Sequence, residues 1–236
     1  MSWSGRYDVS WTAARPAGRL TTSRTELVHL GAAYLVLTTG LVLIFSGNTF
    51  LGSGFAPPGV AGISATVVVV SALAALTGFV AHEMAHKLAA QRRGFWAEFR
   101  ASPYGLLMAL VTSIVGFILA APGATVVGGM SGLDLRSWGR TSLAGPMSNV
   151  AFAAVFYVAA IAAYLDGSAV FVWLLILAFI NAWFGTFNLA PWGILDGFKV
   201  FRWDRGVWAA AIGVTLVALI LSALALYVYG TPLLVR

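Results

Sequence analysis

Residues 60–92 read VAGISATVVVVSALAALTGFVAHEMAHKLAAQR, an apolar run with two histidines and a glutamate near its end. The run is long enough to cross a bilayer as a helix. Positions i and i+4 share one helix face, so His82 and His86 point the same way. That spacing lets two imidazoles bind one Zn²⁺, with Glu83 placed between them as a general base. Two of the three histidines in the chain lie in this motif, which favours a metal site over a pair of hydrogen-bonded core imidazoles.

The composition predicts an integral membrane protein. Of the 236 residues 60% are hydrophobic and only 9% are charged, and the mean hydropathy is +0.89. The absence of cysteine excludes thiolate zinc ligands and disulfides. A net charge of +6 would favour nucleic-acid binding in a soluble protein. Here the basic residues lie between apolar runs, so we expect them to set orientation and to contact anionic lipid, with no nucleic-acid partner.

We predict an all-α polytopic membrane protein with about five transmembrane helices, a re-entrant or hairpin segment, and short β-strands near the active site. The expected spans are 27–46, 60–92, 141–165, 169–190 and 207–229. The expected strands, within segments rich in Gly and Pro, are 97–102 and 124–127. Residues 1–26 form the expected cytoplasmic arm, 27–230 the membrane domain and 231–236 a tail.

A sixth apolar segment, residues 104–121, is expected to dip into the membrane and return. If it does not cross and the N-terminal arm is cytoplasmic, basic residues concentrate on the cytoplasmic side and only Arg236 lies outside. A crossing there would move Arg136 and Arg140 outside and would invert the membrane orientation of every later segment. That distribution of basic residues contradicts the positive-inside rule. The His pair then lies roughly 10–16 Å inside the cytoplasmic end of its helix, in the cytoplasmic half of the bilayer.

A catalytic zinc needs a third protein ligand and an open position. Most acidic residues lie in polar or interfacial segments. Asp196 stands apart because it follows an apolar span at the same predicted membrane side as the His pair, among Pro and Gly residues that break a helix. From these observations alone, a zinc ligand and an ordinary turn aspartate are equally good interpretations of Asp196.

The order of three motifs resembles the site-2 protease family of intramembrane zinc metalloproteases. HEMAH at residues 82–86 ends one span, AGPMSN at 144–149 begins another, and NLAPWGILDG at 188–197 follows a third. The Gly-Pro run is the least specific of the three. Together they cover about half of the chain.

The resemblance implies one zinc held by His82, His86 and Asp196, with Glu83 activating the water. It implies that Asn188 binds the substrate backbone or the oxyanion, and Asn149 is a second candidate for that role. An interhelical hydrogen bond is an equally good interpretation of Asn149. The implied reaction is regulated intramembrane proteolysis, the hydrolysis of peptide bonds in or near a transmembrane helix of a substrate membrane protein.

Such a substrate helix must unwind before it can react. The predicted strands then either pair with the unwound segment or form loops packed on the helices. A membrane zinc protease with a glutamate as third ligand is excluded, because no Glu follows Glu98. The remaining alternative is an inactive relative or a metal-binding transporter. The intact Glu83 and the scarcity of other intramembrane charges argue against it.

Overall fold

The computed structural model describes residues 20–50, 62–118, 122–128 and 134–230. Within these residues, five helices are long and apolar enough to cross a membrane. They are Arg24–Phe45 (α1), Ala65–Gln91, Leu135–Leu165 (α5), Phe171–Asn188 (α6) and Arg205–Tyr229, which is all but the last residue of α8 (Arg205–Gly230). The chain is therefore a multi-pass membrane protein, and the predicted fold class is confirmed. The predicted arm and tail lie largely outside the described residues.

The second span is one continuous helix with a local change of pitch. It consists of α2 (Ala65–Ala75), a π-helical turn (Leu76–Val80) and α3 (Ala81–Gln91), which carries the His pair. The Thr77 hydroxyl donates to the Leu73 carbonyl and the Asn149 amide donates to the Gly78 carbonyl, so polar groups accompany the turn. Such turns are frequent at functional sites, and this one immediately precedes the motif.

The two predicted strands are present and pair with each other. Strand β1 (Trp96–Ala101) runs antiparallel to β2 (Gly123–Gly128), with Phe99 opposite Thr125. The Ser102 N–H donates to the Pro122 carbonyl at 2.9 Å, just beyond the sheet.

The intervening segment therefore leaves the sheet and returns to it, so its two ends lie together at one end of the sheet. Its described part is helix α4 (Pro103–Val115), capped by the Ser102 hydroxyl and packed along α1, where Gly40 faces Ser113. The end of the expected re-entrant segment, at residues 119–121, lies outside the described residues.

Helix α5 begins six residues earlier than the predicted 141. Asp134 caps the helix by accepting from the Arg136 N–H at 3.1 Å. A polar first turn that carries Arg136 and Arg140 thus extends the apolar helix. The sequence prediction followed hydropathy alone and missed this capped turn.

A buried ion pair fixes the start of α1 against the second span and the sheet. Glu26 and Lys87 are both buried, with Oε2 and Nζ 2.5 Å apart. Glu26 also accepts from the Phe99 N–H, and Lys87 donates to the Thr22 hydroxyl. These contacts hold α1, α3 and β1 together. They lie on the β1 side of the sheet, opposite the free edge that β2 forms.

Candidate metal centre

His82, His86 and Asp196 come together at the end of the second span. Each offers one ligand atom, and these atoms all lie within 4.8 Å of one another in a buried group. The Asp196 Oδ2 is 2.8 Å from His86 Nε2 and 3.3 Å from His82 Nε2, and the two Nε2 atoms are 3.0 Å apart. The group is positioned to bind a metal ion.

Helix α5 fixes the orientation of both imidazoles. His82 Nδ1 lies 2.6 Å from Asn149 Oδ1, and His86 Nδ1 lies 2.8 Å from the Thr141 carbonyl. The Asn149 amide donates to the Gly78 carbonyl, so its oxygen must face His82. Both Nδ1 atoms are therefore donors, and a neutral ring then keeps its Nε2 lone pair for a metal.

This donor set fits zinc. The Nε2 lone pair of each imidazole and one carboxylate oxygen point at the same place. Three electron-rich atoms this close repel one another unless a proton or a cation lies between them. Two imidazoles with one carboxylate form an established ligand set for catalytic zinc, with a further position open.

Gly145 provides the space beside the donor atoms. A Cβ built at this position would lie 2.6 Å from His82 Nε2 and still closer to His86 Nε2. Only a residue without a side chain lets α5 pass this close to the histidines. The sequence run 144–149 therefore contributes twice to the site, once through Gly145 and once through Asn149.

Asp196 is presented by a short helix rather than by a turn. It is the first residue of α7 (Asp196–Trp203), and the next residue, Gly197, lies so close to the Leu189 carbonyl that a Cβ would collide with it. The Lys199 ammonium donates to Asp196 Oδ1 at 3.1 Å, which leaves Oδ2 for the metal.

The charge state of Asp196 suits a cation ligand. Burial raises the pKa of its carboxyl, but a protonated His86, hydrogen bonds from both imidazoles and the Lys199 ammonium outweigh burial and hold the pKa well below its usual range; a metal cation bound between the rings would take the place of the His86 proton. The group is therefore ionised at neutral pH.

Glu83 is held by the free edge of the sheet. Its Oε2 accepts from the Thr125 N–H at 2.8 Å and from the Thr125 hydroxyl at 2.7 Å. Glu83 is 8% exposed and lines a cavity of about 510 Å³ together with both histidines and Asp196. Nothing in the sequence pattern indicated that residue 125 would contact residue 83.

Two cavities meet at the metal centre. The larger is also lined by Arg100, Lys199 and residues 123–127 of β2. A second, mainly apolar cavity of about 180 Å³ reaches His82 and Glu83 between the end of the α4 segment and α6.

The two asparagines named from the sequence lie in different places. Asn188 lines both cavities, and its amide donates to the Phe184 carbonyl, which leaves a second N–H. Asn149 is fully buried on the other side of His82 and lies between three helices, with Asn181 3.4 Å away. Its contacts are those of the interhelical hydrogen bond that the sequence left open.

His29 lies outside the metal group. Its Nδ1 accepts from the Ala101 N–H at 3.3 Å, so it contacts the sheet near the start of α1.

The chain is similar to one curated protein named as a protease. It is 35% identical over 160 residues to "Putative zinc metalloprotease MJ0611" of Methanocaldococcus jannaschii, over 67% of this chain and 82% of that protein. No family model and no solved structure matches the chain. The shared region is long enough to establish common descent.

Proposed function

Because the chain belongs to the family of this zinc metalloprotease, we propose that it is an intramembrane protease of the site-2 type that cleaves membrane-protein substrates in or near a transmembrane helix. The observation that carries the proposal is the buried group of His82, His86 and Asp196, two of whose members lie on a membrane-spanning helix. The motif Glu83 faces the same cavity as this group.

The roles of the residues follow from their contacts. His82, His86 and Asp196 would hold the zinc, which when bound supplies a Lewis acid that polarises a carbonyl and acidifies water. Glu83 takes the proton of the attacking water on its carboxylate and passes it to the leaving amine. Asn188 has an N–H available in the cavity and would donate it to the oxygen of the scissile carbonyl as negative charge develops there.

The free edge of β2 is the proposed site where an unwound substrate segment binds. The N–H of Thr125 points away from β1 toward Glu83, and the two-residue alternation of a strand gives the N–H of Val127 the same direction. Both residues line the larger cavity. A peptide added along this edge would run past the metal donors with its carbonyls exposed.

The smaller cavity gives an apolar route from the bilayer. Its wall includes Trp183 and Phe187 of α6, whose side chains are exposed on the outside of the molecule. A substrate helix can therefore remain in apolar surroundings until it reaches Glu83. The larger cavity, lined by Arg100 and Lys199, gives water and cleaved ends a polar exit.

We further propose that the N-terminus and the zinc lie on the cytoplasmic side. The sheet, the start of α5 and α7 lie at the same end of the spans as the metal donors. The basic residues at that end are Arg24, Lys87, Arg92, Arg93, Arg100, Arg136, Arg140, Lys199, Arg202 and Arg205. This distribution favours a cytoplasmic location.

Cleavage of a single-span reporter in proteoliposomes tests the proposal. Wild-type protein loaded with zinc should cut the reporter, and a chelator should stop it. Glu83→Gln keeps the side-chain size and the zinc ligands but removes the base, so we expect normal zinc content and at least a hundredfold loss of rate. Asp134→Asn, the same acid-to-amide change at an exposed helix cap, should cut normally.

Wild-type protein that holds zinc and leaves a panel of reporters uncut would overturn the proposal in favour of an inactive relative or a metal transporter. Cleavage by Glu83→Gln at the wild-type rate would remove Glu83 from the reaction.

A further inference from the structure

The side chain of Glu83 is held by a single residue of the sheet. Two donors of Thr125, the backbone N–H and the hydroxyl, converge on the same oxygen, Oε2, at 2.8 and 2.7 Å. The hydroxyl is also 3.1 Å from the Glu83 carbonyl. The single hydroxyl proton goes to Oε2, the nearer of these two acceptors, so Thr125 makes two hydrogen bonds to the Glu83 carboxylate.

From this geometry we propose that Thr125 is a positioning residue for the general base, which rests on the proposed function. A glutamate side chain has three rotatable bonds, and a general base must lie within hydrogen-bond reach of the proton it removes. Binding Oε2 fixes the carboxylate and leaves Oε1 available for the proton. Without Thr125, Glu83 would populate other rotamers within the cavity.

The sheet is itself anchored to α1, on the side away from Glu83. The opposite strand is anchored by the bond from the Phe99 N–H to buried Glu26, and Phe99 is the residue paired with Thr125. A chain of bonds thus runs from the α1 ion pair through β1 and β2 to the base. The position of Thr125 relative to α3 depends on packing rather than on a mobile loop.

The shared N–H also links base positioning to substrate binding. The Thr125 N–H lies on the free edge of β2, where a paired substrate would accept it. Such a substrate must take this N–H from Glu83, and the hydroxyl then remains as the donor that keeps the carboxylate in place. The hydroxyl is therefore the more important of the two donors during turnover.

Three substitutions test the proposal in the reporter assay. Thr125→Val keeps the branched shape and the backbone N–H but loses the hydroxyl. We expect kcat to fall about tenfold with KM unchanged, because a general base contributes about 10²–10⁴-fold to the rate and a poorly positioned base loses a part of that contribution. Thr125→Ser restores the hydroxyl and should restore kcat. Thr215→Val is the matched control, because that hydroxyl donates only within its own helix, to the Ile212 carbonyl, and it should keep the wild-type rate.

Zinc content and melting temperature should be equal in all four proteins. Wild-type kcat in Thr125→Val, a loss of kcat matched by loss of zinc, or failure of Thr125→Ser to recover would each overturn the proposal.

Amide hydrogen exchange at Thr125 separates this proposal from the protease assignment. The Thr125 N–H bonds to Glu83 rather than to β1, so Glu83→Ala should speed its exchange at least tenfold and leave the N–H groups that bond within the sheet unchanged. Unchanged exchange at Thr125 would refute the contact whether or not any reporter is cut. Faster exchange in a protein that cuts no reporter would support the contact while overturning the protease function.

Discussion

Replacement of Gly145 by alanine should weaken zinc binding without unfolding the protein. The new methyl carbon would lie 2.6 Å from His82 Nε2 and closer still to His86 Nε2. Carbon and nitrogen atoms in contact are best separated by about 3.5–4.0 Å, so each imidazole must move by roughly 1 Å from the position in which α5 holds it.

The expected loss of zinc affinity follows from counting the displaced ligands. Disturbing the orientation of one ligand typically costs about 10–100-fold in affinity. Two displaced ligands should therefore weaken zinc binding by at least about 100-fold, or about 2.8 kcal/mol. Alanine favours a helix over glycine by roughly 0.5–1 kcal/mol, so the helix itself should not be weakened.

The measurement is zinc content after dialysis against a chelator series, with melting temperature recorded on the same samples. Gly213→Ala is the matched control, because it lies in α8 with no atom within 4 Å of the new Cβ. We expect Gly213→Ala to keep full zinc affinity. Wild-type affinity in Gly145→Ala would show that the donor atoms do not face α5 and would refute the assigned site geometry.

Two further substitutions test the surroundings of the site. Asn149→Ala removes the acceptor for His82 Nδ1 and should lower zinc affinity about 10–100-fold, as measured by chelator competition. Asn188→Ala is the control and should leave zinc affinity unchanged. Wild-type zinc affinity in Asn149→Ala would contradict the orienting role of Asn149. Glu26→Ala leaves Lys87 buried and unpaired, so the free energy of unfolding should fall by about 3–5 kcal/mol. The double variant Glu26→Gln with Lys87→Met removes both charges and keeps a side-chain acceptor for the Phe99 N–H, so it should recover most of that loss in detergent denaturation curves; no recovery would show that the pair is not the cause.

The spans and the two histidines could be predicted because each depends on local pattern. Hydropathy over about twenty residues identifies a span, and helical spacing alone puts His82 and His86 on one face. The re-entrant segment followed from charge asymmetry, and the hydrogen bond from Ser102 to Pro122 agrees with it. These inferences need no knowledge of which helices are neighbours.

The contacts around the donors could not be predicted in the same way. The bond between Asn149 and His82 joins residues 67 positions apart, and that between Thr125 and Glu83 joins residues 42 apart. Each depends on how helices and strands pack, which hydropathy does not encode. Helix α7 was missed because it is short and amphipathic and follows the Pro and Gly residues that indicated only a turn.

The packing also explains why the metal site needs helix α5, although α5 carries none of the three metal ligands. Helix α5 supplies the acceptor for each Nδ1, through Asn149 and the Thr141 carbonyl, and the space beside each Nε2, through Gly145. These three positions are four residues apart along the helix, so they lie nearly in line on the face turned to α3. The His pair sets which atoms are available, and α5 decides which nitrogen of each ring carries the proton. The competence of the site for zinc is therefore a property of the contact between two helices, and a change on α5 can abolish it while the HEMAH motif remains intact.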